Sequence, residues 1–206
     1  DAPLREHQHD VLFLGAGCNA HPSAAVKAIG ARCFGQLDAL RAVGDRLEAT
    51  ENEQVIGQAI AAYTDHVRGQ TAVSLGAFID SLGTMERGQI FRIPPSEMKV
   101  IANDRETAEM ANVLARLREL PAEHPLRQGY ETRVERDNQA FVSADTARDE
   151  QAVKLAAARF AVNQAKLDND RFRETVYGEL VALLGKANAE ALFRKPERRA
   201  KKETND

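Results

Sequence analysis

The chain has 206 residues, 43% hydrophobic and 29% charged, which is enough apolar matter for a core and too much for a disordered chain. Aromatic residues make up only 5%, with no tryptophan, so a β-sandwich or barrel lacks the side chains it would need. The formal net charge of −3 gives no global electrostatic case for nucleic acid, which is not expected as a partner.

The length predicts one domain or two small ones. The expected boundaries are an amino-terminal extension over residues 1–21, a helical bundle domain over 22–195 and a basic, polar tail over 196–206. The extension opens on Asp1 and holds His7, His9, Asp10 and His21, a set of imidazoles and a carboxylate suited to zinc or nickel. A His-x-His pair on a free terminus is more often solvated, and no metal or cofactor is expected. Within the extension, Val11-Leu12-Phe13-Leu14-Gly15-Ala16-Gly17-Cys18 resembles a bacterial lipoprotein signal ending in its acylated cysteine. The competing reading is an apolar strand or short helix covering part of the core. Cys18 and Cys33 form no CxxC motif, and two reduced thiols are the expectation.

His21-Pro22-Ser23 reads as a helix start, with Ser23 as a cap. From there Ile29, Cys33, Leu37, Leu40, Gly44 and Leu47 follow helical spacing. The stripe weakens at Glu51 and Gln54, then resumes at Ile56, Ile60, Tyr63, Val67, Leu75, Phe78 and Leu82. No proline interrupts residues 23–93, so one helix to about Leu82 is predicted. Its six glycines from Gly30 to Gly76 each cost roughly 1 kcal/mol against alanine, tolerable where packing holds the helix or a partner helix approaches closely.

Gly83 and Gly88 open a linker that reaches Pro94-Pro95, and Ser96 caps a second candidate helix carrying Met98, Ile101, Met110, Val113, Leu114 and Leu117. Pro121 and Pro125 bend or break the path. Between Gly129 and Pro196 no proline occurs. That stretch is one very long helix, or two meeting at Asn138, at Ser143–Thr146 or at Asp168–Asp170. Val176, Leu180, Leu183, Leu184, Ala187, Ala191 and Leu192 form a dense stripe near its end. The preceding residues, with Val153, Leu155, Phe160, Val162, Leu167 and Phe172, carry a thinner one. The expected fold is all-α, three long helices in an elongated antiparallel coiled-coil bundle that is dimeric.

A helix with a broken stripe, a proline-kinked second helix and a third ending in an apolar stripe resemble a BAR domain of the amphiphysin type. Ser143-Ala144-Asp145-Thr146-Ala147-Arg148 is similar to that family's Tyr-Asp-x-Ala-Arg element, with Ala144 at the position of the aromatic residue. Pro125 lies about where the family kinks the same helix. Asn163–Asp170 and Glu179–Leu184 look like the family's third helix, and the resemblance spans roughly residues 23–195. It implies an antiparallel homodimer whose curved face meets lipid headgroups. Arg127, Arg133 and Arg136 after the kink, and Arg194, Lys195, Arg198 and Arg199 near the end, are the candidate contacts to an anionic membrane. Leu37, Leu40, Leu47, Val176, Leu180, Leu183 and Leu184 supply more apolar stripe than a slim monomer needs, so they are the candidate dimer seam.

No apolar run approaches the roughly 18 residues of a membrane-spanning helix, and the expectation is a soluble chain. No Gly-x-Ser-x-Gly, Walker loop, GxGxxG or HExxH occurs, and no side chain offers itself as nucleophile or base. The expected function is therefore non-enzymatic: a cytoplasmic helical scaffold that dimerises and binds or shapes a membrane surface. The alternative is an extracytoplasmic bundle, periplasmic or at the cell surface, anchored through Cys18 and acting as sensor, adhesin or chaperone. A further protein partner is unspecified.

Overall fold

The computed structural model describes residues 3–83, 87–98 and 103–193. The described residues are all-α, with no strand among them. They form seven helices: α1 (Leu4–Ala20), α2 (Ala24–Leu82), α3 (Arg87–Ile90), α4 (Pro95–Met98), α5 (Asn103–Glu119), α6 (Pro125–Leu184) and α7 (Lys186–Leu192). Two helices, α2 and α6, are long, where three were expected.

Local chemistry sets the helix ends. The Lys27 N–H donates to the Ser23 carbonyl as α2 begins, and α2 stops at Gly83, whose φ of +61° only glycine adopts without strain. Pro125 opens α6 rather than kinking a helix, because its fixed φ and missing N–H suit a first helical position. The His124 Nδ1 accepts the Leu126 N–H there. None of the expected turn points interrupts α6. Asp145 pairs with Arg148 one turn on, the Thr146 hydroxyl donates to the Val142 carbonyl, and Asn169 is buried against another helix. These side chains are accommodated without a break in the helix.

The chain divides into two compact units, one drawn from the residues up to Thr50 and from Leu155 onward, the other comprising Glu51–Lys154. In the first, α1 lies in the core. Its buried positions His7, Val11, Leu14 and Cys18 recur at helical spacing, and the last three pack in one core with Ile29, Cys33, Leu37 and Leu40 of α2 and Val176 and Leu180 of α6. The amino-terminal run is a helix that covers part of this core. A Cβ added to Gly30 would stand 3.0 Å from the Asn19 nitrogen and 3.1 Å from the Gly15 carbonyl oxygen. The backbones of α1 and α2 therefore cross in close contact at this point.

The second unit packs α2, α5 and α6 around Leu75, Ile79, Met110, Val113, Leu117 and Leu126. The expected linker contributes to that core, since Ile90 and Phe91 are buried in it, as is Met98 of α4. Glu109 holds the turn between α3 and α4, its carboxylate accepting the backbone N–H of Arg92 at 2.6 Å and of Ile93 at 3.5 Å.

Two substitutions on the same helix should move stability in opposite directions. Gly30→Ala drives a methyl group into the α1 backbone and should cost about 1–3 kcal/mol. Gly35→Ala, whose Cβ meets nothing within 4 Å, should gain about 0.5–1 kcal/mol. Urea denaturation of both variants checks the pair.

Candidate functional site

The chemistry-bearing side chains of the second unit converge on one seam between α2, α5 and α6. At its centre Arg68 is completely buried. Nη2 lies 2.8 Å from Asp65 Oδ1 and 3.0 Å from Glu106 Oε2, and Nη1 donates to the Thr107 hydroxyl at 2.8 Å. The guanidinium stacks 3.6 Å from the centre of the Phe141 ring, a cation–π contact supplied by α6. One turn away the buried Thr71 hydroxyl donates to Asp137 Oδ2 at 2.6 Å and accepts from Arg133 Nε at 3.0 Å. Tyr130 completes the seam, its hydroxyl donating to the Ser74 carbonyl at 3.1 Å while its ring packs on Phe78. Burial pushes the Glu106 carboxyl above the ordinary glutamate range, and its attraction to Arg68 offsets only part of that cost.

This seam displaces the stripe expected for α2 by one position around the helix. Gly57, Ala61, Arg68, Thr71 and Ala72 face inward. The larger Ile56, Ile60 and Tyr63, expected to be buried, are 59%, 51% and 68% exposed. At Gly57 the side-chain amide of Gln151 from α6 occupies the place a Cβ would take. The outward face is also free of charge, since no Asp, Glu, Lys or Arg occurs from Gln54 to Thr64 in a chain that is 29% charged. Beside it, Gln58, Ala61, Ala62, Asp65, Phe141 and Arg148 line an open groove of about 330 Å³.

The candidate dimer residues lie in the first unit. Leu37, Leu40, Val176 and Leu180 are buried under the chain's own α1, so the apolar surplus expected of them is taken up within the unit. Leu47 is half-buried, Leu184 packs against the same core, and only Leu183, 51% exposed, faces outward.

The candidate lipid contacts fare similarly. Arg127 binds Glu131 at 2.8 Å and donates to the carbonyls of Arg118 and Leu120, closing the turn before α6. Arg133 serves Thr71 and lies 3.8 Å from Asp137, to which Arg136 is bound at 2.7 Å. Reversing Arg133 to Glu would set a second carboxylate beside the buried Asp137, so that variant is no neutral probe of a surface. Arg194, Lys195, Arg198 and Arg199 lie outside the described residues.

Among the described residues no group of three or more His, Cys, Asp or Glu side chains could hold a metal ion. His7 is buried instead, its Nδ1 3.2 Å from Asn169 Nδ2 and 3.4 Å from Asp170 Oδ1, and neighbouring Asp10 binds Arg173 at 3.1 Å. These contacts dock α1 on α6. Cys18 and Cys33 are free thiols, both fully buried. Burial, and then the proximity of Cys18, push the Cys33 thiol up to about 12, and burial raises Cys18 as well. Neither is a reactive thiolate at neutral pH. Among the described residues no helix is long and apolar enough to cross a membrane.

The Arg68 seam was missed by a reading that followed large apolar side chains. The available signal was the spacing of Ala61, Arg68, Leu75 and Leu82, which sets an arginine on the heptad between apolar residues.

Arg68→Met should cost about 3–5 kcal/mol in urea denaturation, because it removes the cation that Asp65 and Glu106 share. Arg41→Met, which breaks only the exposed pair with Asp38, should stay within about 0.5 kcal/mol. Comparison of the chain with protein-family models, with curated proteins and with solved structures finds no match in any of the three.

Proposed function

We propose that this protein is a non-enzymatic helical scaffold that works by contact with other macromolecules, its own copies first among them. The observation that carries this reading is the outward face of α2 in the second unit. Three turns of helix turn their largest apolar residues to solvent and their smallest ones to the core. They also carry no charge to keep a partner away. An exposed apolar stripe of this kind is favoured where another surface covers it.

Sedimentation velocity across concentrations up to about 100 μM tests the reading. Concentration-dependent association is expected, and Ile56→Glu with Ile60→Glu should abolish it while leaving helix content unchanged, since both side chains already face water. A wild-type chain that remains monomeric throughout the range overturns self-association.

The extension to a membrane surface rests on the cations. Of the three described, Arg136 is the most exposed, and all three are engaged with acids or carbonyls of their own unit. A lipid contact would have to compete with those intramolecular partners, so it should be weak and strongly screened. Cosedimentation with anionic vesicles at low salt, repeated near 1 M salt where the Debye length falls to about 3 Å, decides it. Binding that collapses with salt supports the membrane role. No binding at low salt removes it and leaves the scaffold.

A further inference from the structure

The Arg68 seam holds an imbalance that its packing does not resolve. One guanidinium nitrogen, Nη2, serves two carboxylates, Asp65 at 2.8 Å and Glu106 at 3.0 Å. Asp65 is half-exposed and shares its charge with water, whereas the Glu106 side chain is 7% exposed. With both acids ionised, the group carries one cation and two anions, and the excess charge falls on the deeper one.

We propose that Arg68, Asp65 and Glu106 form a proton-operated latch between α2 and α5, closed most firmly when one proton sits on the carboxyl pair. The balanced state is Arg68 cationic, Asp65 anionic and Glu106 neutral. The first turn of α5 favours an anion at Glu106 through the helix dipole, but burial outweighs it and the carboxyl is raised above its ordinary range. The other groups brought to the seam have their own partners. On α5, Asp104 and Arg105 point to solvent and Glu109 is bound to the Arg92 N–H. From α6, Arg133 and Arg136 meet Asp137, while Arg148 is bridged by Asp145 and Asp149. Nothing but Arg68 is left to compensate Glu106.

The sign of the linkage is the reverse of an ordinary surface carboxylate. Glu106 takes its proton more readily in the fold than in an open chain. Its contribution is therefore complete below the ordinary glutamate range and is lost as pH rises through the higher folded-state value. The segment released is α5, whose Met110, Val113 and Leu117 would leave the core of the second unit. For each pH unit by which the folded-state value exceeds the ordinary one, the opening equilibrium of α5 rises up to tenfold.

Hydrogen exchange of the whole chain, corrected for the intrinsic pH dependence of exchange and followed from pH 4 to pH 8, reads this out. Expected is a loss of protection in α5, relative to the Ile29–Leu40 segment of α2, as pH rises through the window. Glu106→Gln should hold α5 at its acid-form protection across the range. Asp65→Asn removes the competing anion and should move the Glu106 carboxyl titration, followed by carbon NMR, towards its ordinary range. Three results each overturn the latch: α5 protection that does not change with pH in the wild type, a Glu106→Gln variant as pH-dependent as the wild type, or a Glu106 titration unmoved by Asp65→Asn.

Discussion

A guanidinium cannot be left in a protein interior without partners, and the second unit is arranged around that requirement at Arg68. Its partners come from three helices: Asp65 from its own turn of α2, Glu106 and Thr107 from α5, the Phe141 ring from α6. Apolar burial draws these helices together but is indifferent to small rotations and slides. A planar cation with fixed donor directions is not. The same logic repeats at Thr71, a single hydroxyl that donates to Asp137 and accepts from Arg133. The seam thus specifies which turn of each helix meets which.

The first unit solves the same packing problem with different means. Its core is largely apolar and its helices approach through glycine, with one buried polar contact, His7 with Asn169, between α1 and α6 and an exposed pair, Arg32 with Glu179, between α2 and α6. The cysteines belong to this economy of space: Cys33 lies in van der Waals reach of Gly15 and Cys18 of Gly30. In each pairing a small side chain faces none. Thiols held there act as compact apolar groups, consistent with burial having made them weaker acids.

How much was legible in the sequence differed between the units for a physical reason. Ile29, Cys33, Leu37 and Leu40 form a stripe that stands out by size, and the structure buries all four. The helical class, the long helix to Leu82 and the proline-free stretch beyond Gly129 that lies in α6 were also readable. The inward face of α2 in the second unit was not, because Gly57, Ala61, Arg68 and Thr71 make a core from residues that hydrophobic periodicity scores as neutral or polar, while Ile56, Ile60 and Tyr63 mark the wrong side. The amino-terminal run was misleading for another reason. Val11 to Leu14 reads as one continuous apolar block, yet a helix divides it, with Val11 and Leu14 inward and Leu12 and Phe13 outward.

The crossing of α1 and α2 has a bearing on how this sequence can drift. Most helix contacts tolerate exchange, because a side chain enlarged on one helix can be offset by one reduced on the other. At Gly30 that route is closed, since the space beyond the missing side chain is filled by the α1 backbone at Asn19 and Gly15. The position already holds the smallest residue available, and no second substitution removes a backbone atom. Gly30 should therefore be fixed in any descendant that keeps this docking of α1, and a change there should coincide with a displaced or missing first helix.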